Sequence, residues 1–149
     1  MNRIARVLAS CCGIGFIPIA PGTWASICAA LSAYYWNLPE LYLFFVVCII
    51  LIVVGIALSD SASRSINVHD PSWIVIDEWI GMWIALLGIS HNLYLYVLAC
   101  VLFRFFDIVK PFPIAAIEKL PGGFGIVLDD VFAGLITCML LHMKMVYLP

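Results

Sequence analysis

Between Leu41 and Leu58 the chain reads LYLFFVVCIILIVVGIAL, eighteen residues without a charge. Wound as an α-helix, such a segment is about 27 Å long, close to the roughly 30 Å hydrocarbon core of a bilayer. A soluble fold has little use for it. The rest of the chain points the same way, since 65% of its 149 residues are hydrophobic and 11% charged, against about 25% charged in soluble domains. The expected architecture is all-α: a polytopic membrane bundle of about four to five membrane helices, some short or re-entrant. No Pro/Gly/Ser-rich linker or charge run divides the sequence, so residues 1–149 are expected to form a single membrane-embedded domain.

Against that background the acids stand out. Trp73–Ile89, WIVIDEWIGMWIALLGI, is an apolar run of helix length that carries Asp77 and Glu78 side by side. A carboxylate deep in hydrocarbon costs roughly 2.5 to 3.5 kcal/mol, so an intramembrane acidic pair marks a candidate functional site whose partners must be found. The stretch from Phe103 to Asp130 supplies them: Arg104, Asp107, Lys110, Asp129 and Asp130, each at the edge of an apolar run. Arg104, Asp107 and Lys110 recur every three residues, which puts them on roughly one face if the helix continues to Lys110; Pro111 and Pro113 then break it.

Five crossings or near-crossings are expected, at about 23–38, 41–58, 73–89, 93–106 and 126–142. The polar stretch 59–72 is expected to be a loop, and Pro121–Gly125 a flexible connection before Asp129-Asp130 opens the last run. On this topology Arg3, Arg6, Arg64, Arg104, Lys110 and Lys119 share one side, leaving only Lys144 opposite. By the positive-inside rule that side is cytoplasmic. The acids partition likewise, with only Glu40 opposite, which the rule does not require. Asp77 and Glu78, four to five residues into their helix, would lie about 6 to 8 Å deep, and one polar pocket near the cytoplasmic interface is expected.

Several function classes recede. Without a basic patch, zinc pattern or helix-turn-helix, nucleic acid is not an expected partner. The six cysteines form no C-x-x-C pair, so neither zinc nor redox chemistry is indicated. Gly13, Gly15, Pro18 and Pro21 interrupt the first apolar stretch, which is read as an uncleaved short helix followed by an irregular or re-entrant segment. In PGTWAS, Pro21–Ser26, Gly22 would permit unusual dihedrals, and Thr23 would cap a helix whose first N–H groups could face an anion.

Carboxylates that outnumber bases at one depth repel one another unless some are protonated or a cation is bound, and oxygen-only ligands select Mg²⁺, Mn²⁺ or Ca²⁺. Mg²⁺ takes few protein carboxylates and completes its shell with water and substrate phosphate, so such a site beside Arg104 and Lys110 fits a phosphate ester. The reaction class implied is metal-assisted phosphoryl chemistry. The rival class is a small transporter or proton/ion relay using the same acids, although a relay needs ionisable groups at several depths. A non-catalytic interaction protein would leave the excess of acid unexplained.

The segments GFIPIAPGTWAS (Gly15–Ser26), HDPSWIVIDEWIGMW (His69–Trp83), FRFFDIVKPFPI (Phe103–Ile114) and GGFGIVLDDVFAG (Gly122–Gly134) resemble, in matching order, the phosphatidylglycerophosphatase A family. The V-x-D-E-x-x-G, F-R-x-x-D-x-x-K-P and D-D-x-x-A-G pieces carry the resemblance together. It implies a bacterial inner-membrane, multi-pass, Mg²⁺-dependent lipid phosphatase, its site on the cytoplasmic side, that converts phosphatidylglycerophosphate to phosphatidylglycerol and inorganic phosphate. The family's early motif usually reads P-G-T-x-G-S; here Ala25 replaces its second glycine, while Thr23 and Ser26 stay as candidate substrate-binding residues.

In that light Asp77, Glu78, Asp129 and Asp130 are the candidate Mg²⁺ ligands. Adjacent helical residues diverge by about 100°, so only one of each pair is expected to bond an ion directly. Arg104 and Lys110 are the candidate phosphate clamp. Asp107 could orient a water as general base or only hold the two cations, and Asp130 is a second catalytic candidate. Direct carboxylate attack stays open as well. Gly81 and Gly134 would let helices approach closely around the ion, and His69 could move a proton at the pocket mouth.

Overall fold

The computed structural model describes residues 3–35, 41–66, 68 and 71–147. The elements in chain order are α1 (Arg3–Ala9), a 3₁₀ turn (Ile14–Phe16), α2 (Pro21–Tyr35), α3 (Leu41–Ile66), α4 (Ile76–Ala85), α5 (Leu93–Val109), α6 (Ile114–Ile117) and α7 (Gly123–Tyr147), with no strand among the described residues. The all-α expectation holds. Among the described residues two helices are long and apolar enough to cross a membrane, Leu41–Ser65 of α3 and Gly123–Tyr147 of α7, which does not confirm the four to five membrane helices expected.

The shorter helices have local causes. The run 73–89 does not form one long helix: α4 begins only at Ile76 and ends at Ala85, where the chain turns through Gly88 in the left-handed region at φ 69°. Asp77 and Glu78 therefore occupy the first turn of α4, not its second, where the helix macrodipole favours negative charge. The expected loop 59–72 is largely helical, because α3 continues to Ile66. Its polar end is stitched by an Asp60–Arg64 ion pair of 3.0 Å at i,i+4, and by hydroxyl bonds from Ser63 to the Val68 carbonyl (2.6 Å) and from Ser65 to the Ala62 carbonyl (2.8 Å).

The connection before the last helix is also tighter than expected. Gly122, at φ 63°, turns the chain, and α7 starts at Gly123, so Asp129 and Asp130 lie in its second turn instead of opening it. Gly123 is close-packed: a Cβ there would strike the carbonyl of Ile56, and its N–H donates to Asp60 Oδ1 at 3.4 Å. The expected short N-terminal helix followed by irregular backbone is present, with α1 leading into a turn where Cys11, Cys12 and Gly13 all have positive φ.

The bundle is organised around α4 and α7. Over its membrane-length window α7 is 56% buried against 17% for α3, which makes α7 the central column and α3 the outer one. Helix α4 reaches α7 without side chains between them: a Cβ on Gly134 would strike the Gly81 carbonyl, and one on Gly81 would lie 2.6 Å from the Phe103 ring and 2.7 Å from the Asp130 carbonyl. Those glycines bring the Asp77–Glu78 turn beside Asp130. On the other side Trp83 ties α4 to α2, its indole N–H donating to the Ala29 carbonyl and the Ser32 hydroxyl, both at 3.1 Å.

Helices α2, α4 and α7 begin where α3 and α5 end, so the bundle alternates direction and gathers the Asp60–Arg64 pair and the charged residues of α4, α5 and the start of α7 at one end.

Candidate active site

At that end a cavity of about 220 Å³ is lined by Asp77 and Glu78 from α4, Arg104 and Asp107 from α5, Lys110 just beyond it, and Asp129 and Asp130 from α7. All seven charged residues expected to converge do so. Five carboxylates face two cations, an excess of three negative charges if all are ionised. Asp77, Asp129 and Asp130 are only 6%, 4% and 3% exposed, so solvent screens this excess poorly.

The carboxylates divide into two sets. Asp77, Glu78 and Asp130 each offer an oxygen within 4.8 Å of the others. Asp77 and Glu78 thus both bring an oxygen to this point, where only one of the pair was expected to bond an ion directly. Asp129 is not in the group. Its Oδ2 accepts from Lys110 Nζ at 2.7 Å and its Oδ1 from the Asp130 backbone N–H at 2.9 Å, as adjacent residues on a straight helix must diverge.

The cations are held differently from one another. Arg104 Nη1 is ion-paired with Asp107 and lies 3.8 Å from Glu78 Oε1. Helix α5 stops at Val109 because Lys110 takes a left-handed conformation (φ 46°) ahead of Pro111. Lys110 therefore leaves the Arg104–Asp107 face and bridges Asp129 and Glu118, both at 2.7 Å. Burial alone would lower the pKa of Lys110, but the hydrogen bonds and charges of Asp129 and Glu118 outweigh it and hold the ammonium above the ordinary lysine range. Nothing in the spacing of Glu118, eight residues from Lys110, marks it in the sequence as a partner.

Gly22 has a role different from the one expected. It lies within α2 without a positive φ, and its value is the missing Cβ, which would strike Glu78 Oε1 and lie 2.8 Å from Glu78 Cδ and 3.0 Å from Arg104 Nη1. Pro21 occupies the first position of α2, where its missing N–H costs nothing, so Thr23 is inside the first turn and is not its cap. Neither Thr23 nor Ser26 lines the cavity; the fully buried Ser26 hydroxyl donates to the Gly22 carbonyl at 2.8 Å. Ala25 is likewise fully buried and away from the cavity. His69 lies outside the described residues.

Two buried oxygens test whether the site suits a cation. Glu78 Oε2 and Asp130 Oδ1 have no hydrogen-bond partner, a costly state for ionised carboxylates. Together with the Asp77 carboxylate they form an all-oxygen donor set of the kind that hard divalent cations prefer.

A family model described as phosphatidylglycerophosphatase A matches residues 7–145. A relative of that name from Escherichia coli (strain K12) is 37% identical over 144 residues, covering 95% of this chain and 84% of the relative. Another of the same name, from Haemophilus influenzae, is 40% identical over 126 residues, or 83% of this chain and 77% of the relative. A relative from Bacteroides thetaiotaomicron, named "Putative phosphatidylinositol-3-phosphatase", is 38% identical over 136 residues, 87% of this chain and 86% of its own length. No solved structure matches the chain significantly. The match runs through all four helices that wall the cavity, and the chain belongs to the phosphatidylglycerophosphatase A family.

Proposed function

We propose that the protein is a Mg²⁺-dependent membrane phosphatase that hydrolyses phosphatidylglycerophosphate to phosphatidylglycerol and inorganic phosphate in phospholipid biosynthesis. The observation that carries this reading is the meeting, in one cavity, of the Asp77–Glu78–Asp130 group with Arg104 and Lys110. The names of the relatives support the headgroup. The working unit is one domain in the bacterial inner membrane, with α2 and α5 embedded beside the two full-length helices and α4 dipping part-way. On the topology expected from the sequence six of the seven basic residues share the side of Arg104 and Lys110, which favours the cavity opening to the cytoplasm.

Asp77, Glu78 and Asp130 would hold Mg²⁺. When bound, the ion would polarise the phosphoryl group and neutralise charge as the ester bond loosens. Arg104 and Lys110 bind the remaining phosphate oxygens; Arg104 still has donors beyond its pair with Asp107, and Lys110 a third proton beyond its two carboxylates. Asp129 and Glu118 orient Lys110. Asp107 is ion-paired with Arg104, which favours its holding the guanidinium in place. Water adds to phosphorus as the ester P–O bond breaks, and the proton lost by the water passes to a cavity carboxylate, for which Asp130 is the candidate, and from it to the departing phosphatidylglycerol oxygen.

The test is inorganic phosphate release by the purified protein in detergent from phosphatidylglycerophosphate, phosphatidic acid and phosphatidylinositol 3-phosphate. Turnover of the first above the other two is expected. No release from any lipid phosphomonoester would end the phosphatase reading, and preferential turnover of phosphatidylinositol 3-phosphate would replace the substrate. A transport role is not favoured by charges gathered at one depth.

A further inference from the structure

The helices α2 and α5 wall the cavity at Gly22 and Arg104, and the same two helices form a second, apolar hollow of about 270 Å³ further along the bundle. They run in opposite directions, so the hollow follows α2 forward from Gly22, through Ile27 and Leu31 to Tyr34, and α5 backward from Arg104, through Cys100 and Val97 to Leu93. Cys100 is four residues, about one turn, from Arg104, and the hollow extends about 10 Å beyond that. Its walls are aliphatic, with Val97 and Leu31 55% and 45% exposed. At the far end Tyr34 meets Tyr96 edge-on with ring centroids 5.2 Å apart, and His91 stacks on Tyr34 at 4.1 Å and donates from Nε2 to the Tyr34 carbonyl, 2.8 Å away. The groove is thus open along its side, with this aromatic cluster at its far end.

We infer that the α2–α5 groove receives an acyl chain of the lipid whose phosphate occupies the cavity, with the Tyr34–Tyr96–His91 cluster as its floor. This rests on the lipid phosphatase reading. The occupant follows from continuity: a phosphate clamped by Arg104 places the glycerol backbone at the cavity mouth, and the apolar path that begins one turn away on the clamp's own helix descends toward the bilayer interior. A larger apolar hollow, about 400 Å³, lies between α1 and α4. It is lined by Ile76, Trp79, Ile80 and Trp83, a face of α4 that excludes Asp77 and Glu78, so it lacks that continuity with the clamp.

Lipid tails are as apolar as the groove, so its contribution is one of positioning and the expected effect is moderate. The experiment compares KM and kcat of the intact protein for dihexanoyl and dipalmitoyl phosphatidylglycerophosphate in mixed micelles. Val97→Trp, and independently Leu31→Trp from the facing helix, should raise the dipalmitoyl-to-dihexanoyl ratio of KM by about threefold to tenfold over wild type, while Leu8→Trp in the other hollow should not change it. An unchanged ratio in both groove variants, or a change produced by Leu8→Trp alone, overturns the inference. So does a shift in oligomeric mass in detergent without a shift in the ratio, which would make the groove a contact between copies. Failure of the wild type on both lipids would instead count against the phosphatase reading, so the two failures are distinguishable.

Discussion

Lys110 Nζ lies 2.7 Å from Asp129 Oδ2, which takes Asp129 away from the carboxylates that its neighbour Asp130 joins. Two consecutive aspartates thus serve opposite halves of the cavity. Asp130→Asn should lower kcat by about two to three orders of magnitude and raise the Mg²⁺ concentration needed for half-activation. Asp129→Asn should leave that requirement near wild type and raise KM for the lipid, because it loosens Lys110. A Mg²⁺ titration of both variants decides the matter; equal shifts in the metal requirement would put Asp129 back among the ligands.

Gly22 gives a second prediction. Gly22→Ala drives a methyl into the Glu78 carboxylate, and overpacking of this sort costs about 1 to 3 kcal/mol. The expected result is a lower melting temperature and a loss of activity, as Glu78 is pushed from its place beside Arg104. The contrasting variant is Ala25→Gly, which restores the family's usual residue. Because Ala25 is buried inside α2 and does not line the cavity, activity should hardly change, while the helix loses about 1 kcal/mol. An activity gain in Ala25→Gly would mean that the second glycine does shape the phosphate site.

How much of this was legible in the sequence can be argued from the same residues. The convergence of seven charges was readable because hydrocarbon leaves buried charge few alternatives to meeting other charge, and the topology needed only the apolar runs. Helix boundaries were less so. Apart from Asp77 and Glu78 the Trp73–Ile89 run is apolar throughout, and nothing in it announces that α4 will begin at Ile76 or stop at Ala85. Pairings within the cavity were hidden for a different reason: whether Lys110 faces Asp107 or Glu118 depends on one left-handed residue at the end of α5. The Thr23 and Ser26 expectation rested on motif position, whereas α2 begins two residues earlier and turns the Ser26 hydroxyl inward.

Metal removal is the third prediction. EDTA should abolish phosphate release and added Mg²⁺ restore it, and Mg²⁺ without substrate should raise the thermal midpoint, since a ligand at 100 times its Kd stabilises the folded state by about 2.7 kcal/mol. That stabilisation should vanish in Glu78→Gln, which removes a carboxylate with an unpartnered buried oxygen. Full turnover in chelator would refute the assignment of the Asp77–Glu78–Asp130 group.

The last prediction concerns alkaline pH. Lys110 is held above the ordinary lysine range by Asp129 and Glu118, whereas in the unfolded chain it titrates near 10.4. A folded-state pKa raised above the unfolded one contributes stability that is fully present below the unfolded value and is lost as pH rises through the folded value. The stability difference between wild type and Lys110→Met should therefore stay flat from about pH 7 to 9.5 and shrink only above about 10.5. The clamp should obey the same limits: any fall in activity between about pH 8 and 9.5 should persist in Lys110→Arg, whose guanidinium does not titrate there. Thermal melts and pH–rate profiles of the two variants check both statements. A stability difference that collapses below about pH 9.5 would show that the Lys110 ammonium is not secured by its two carboxylates.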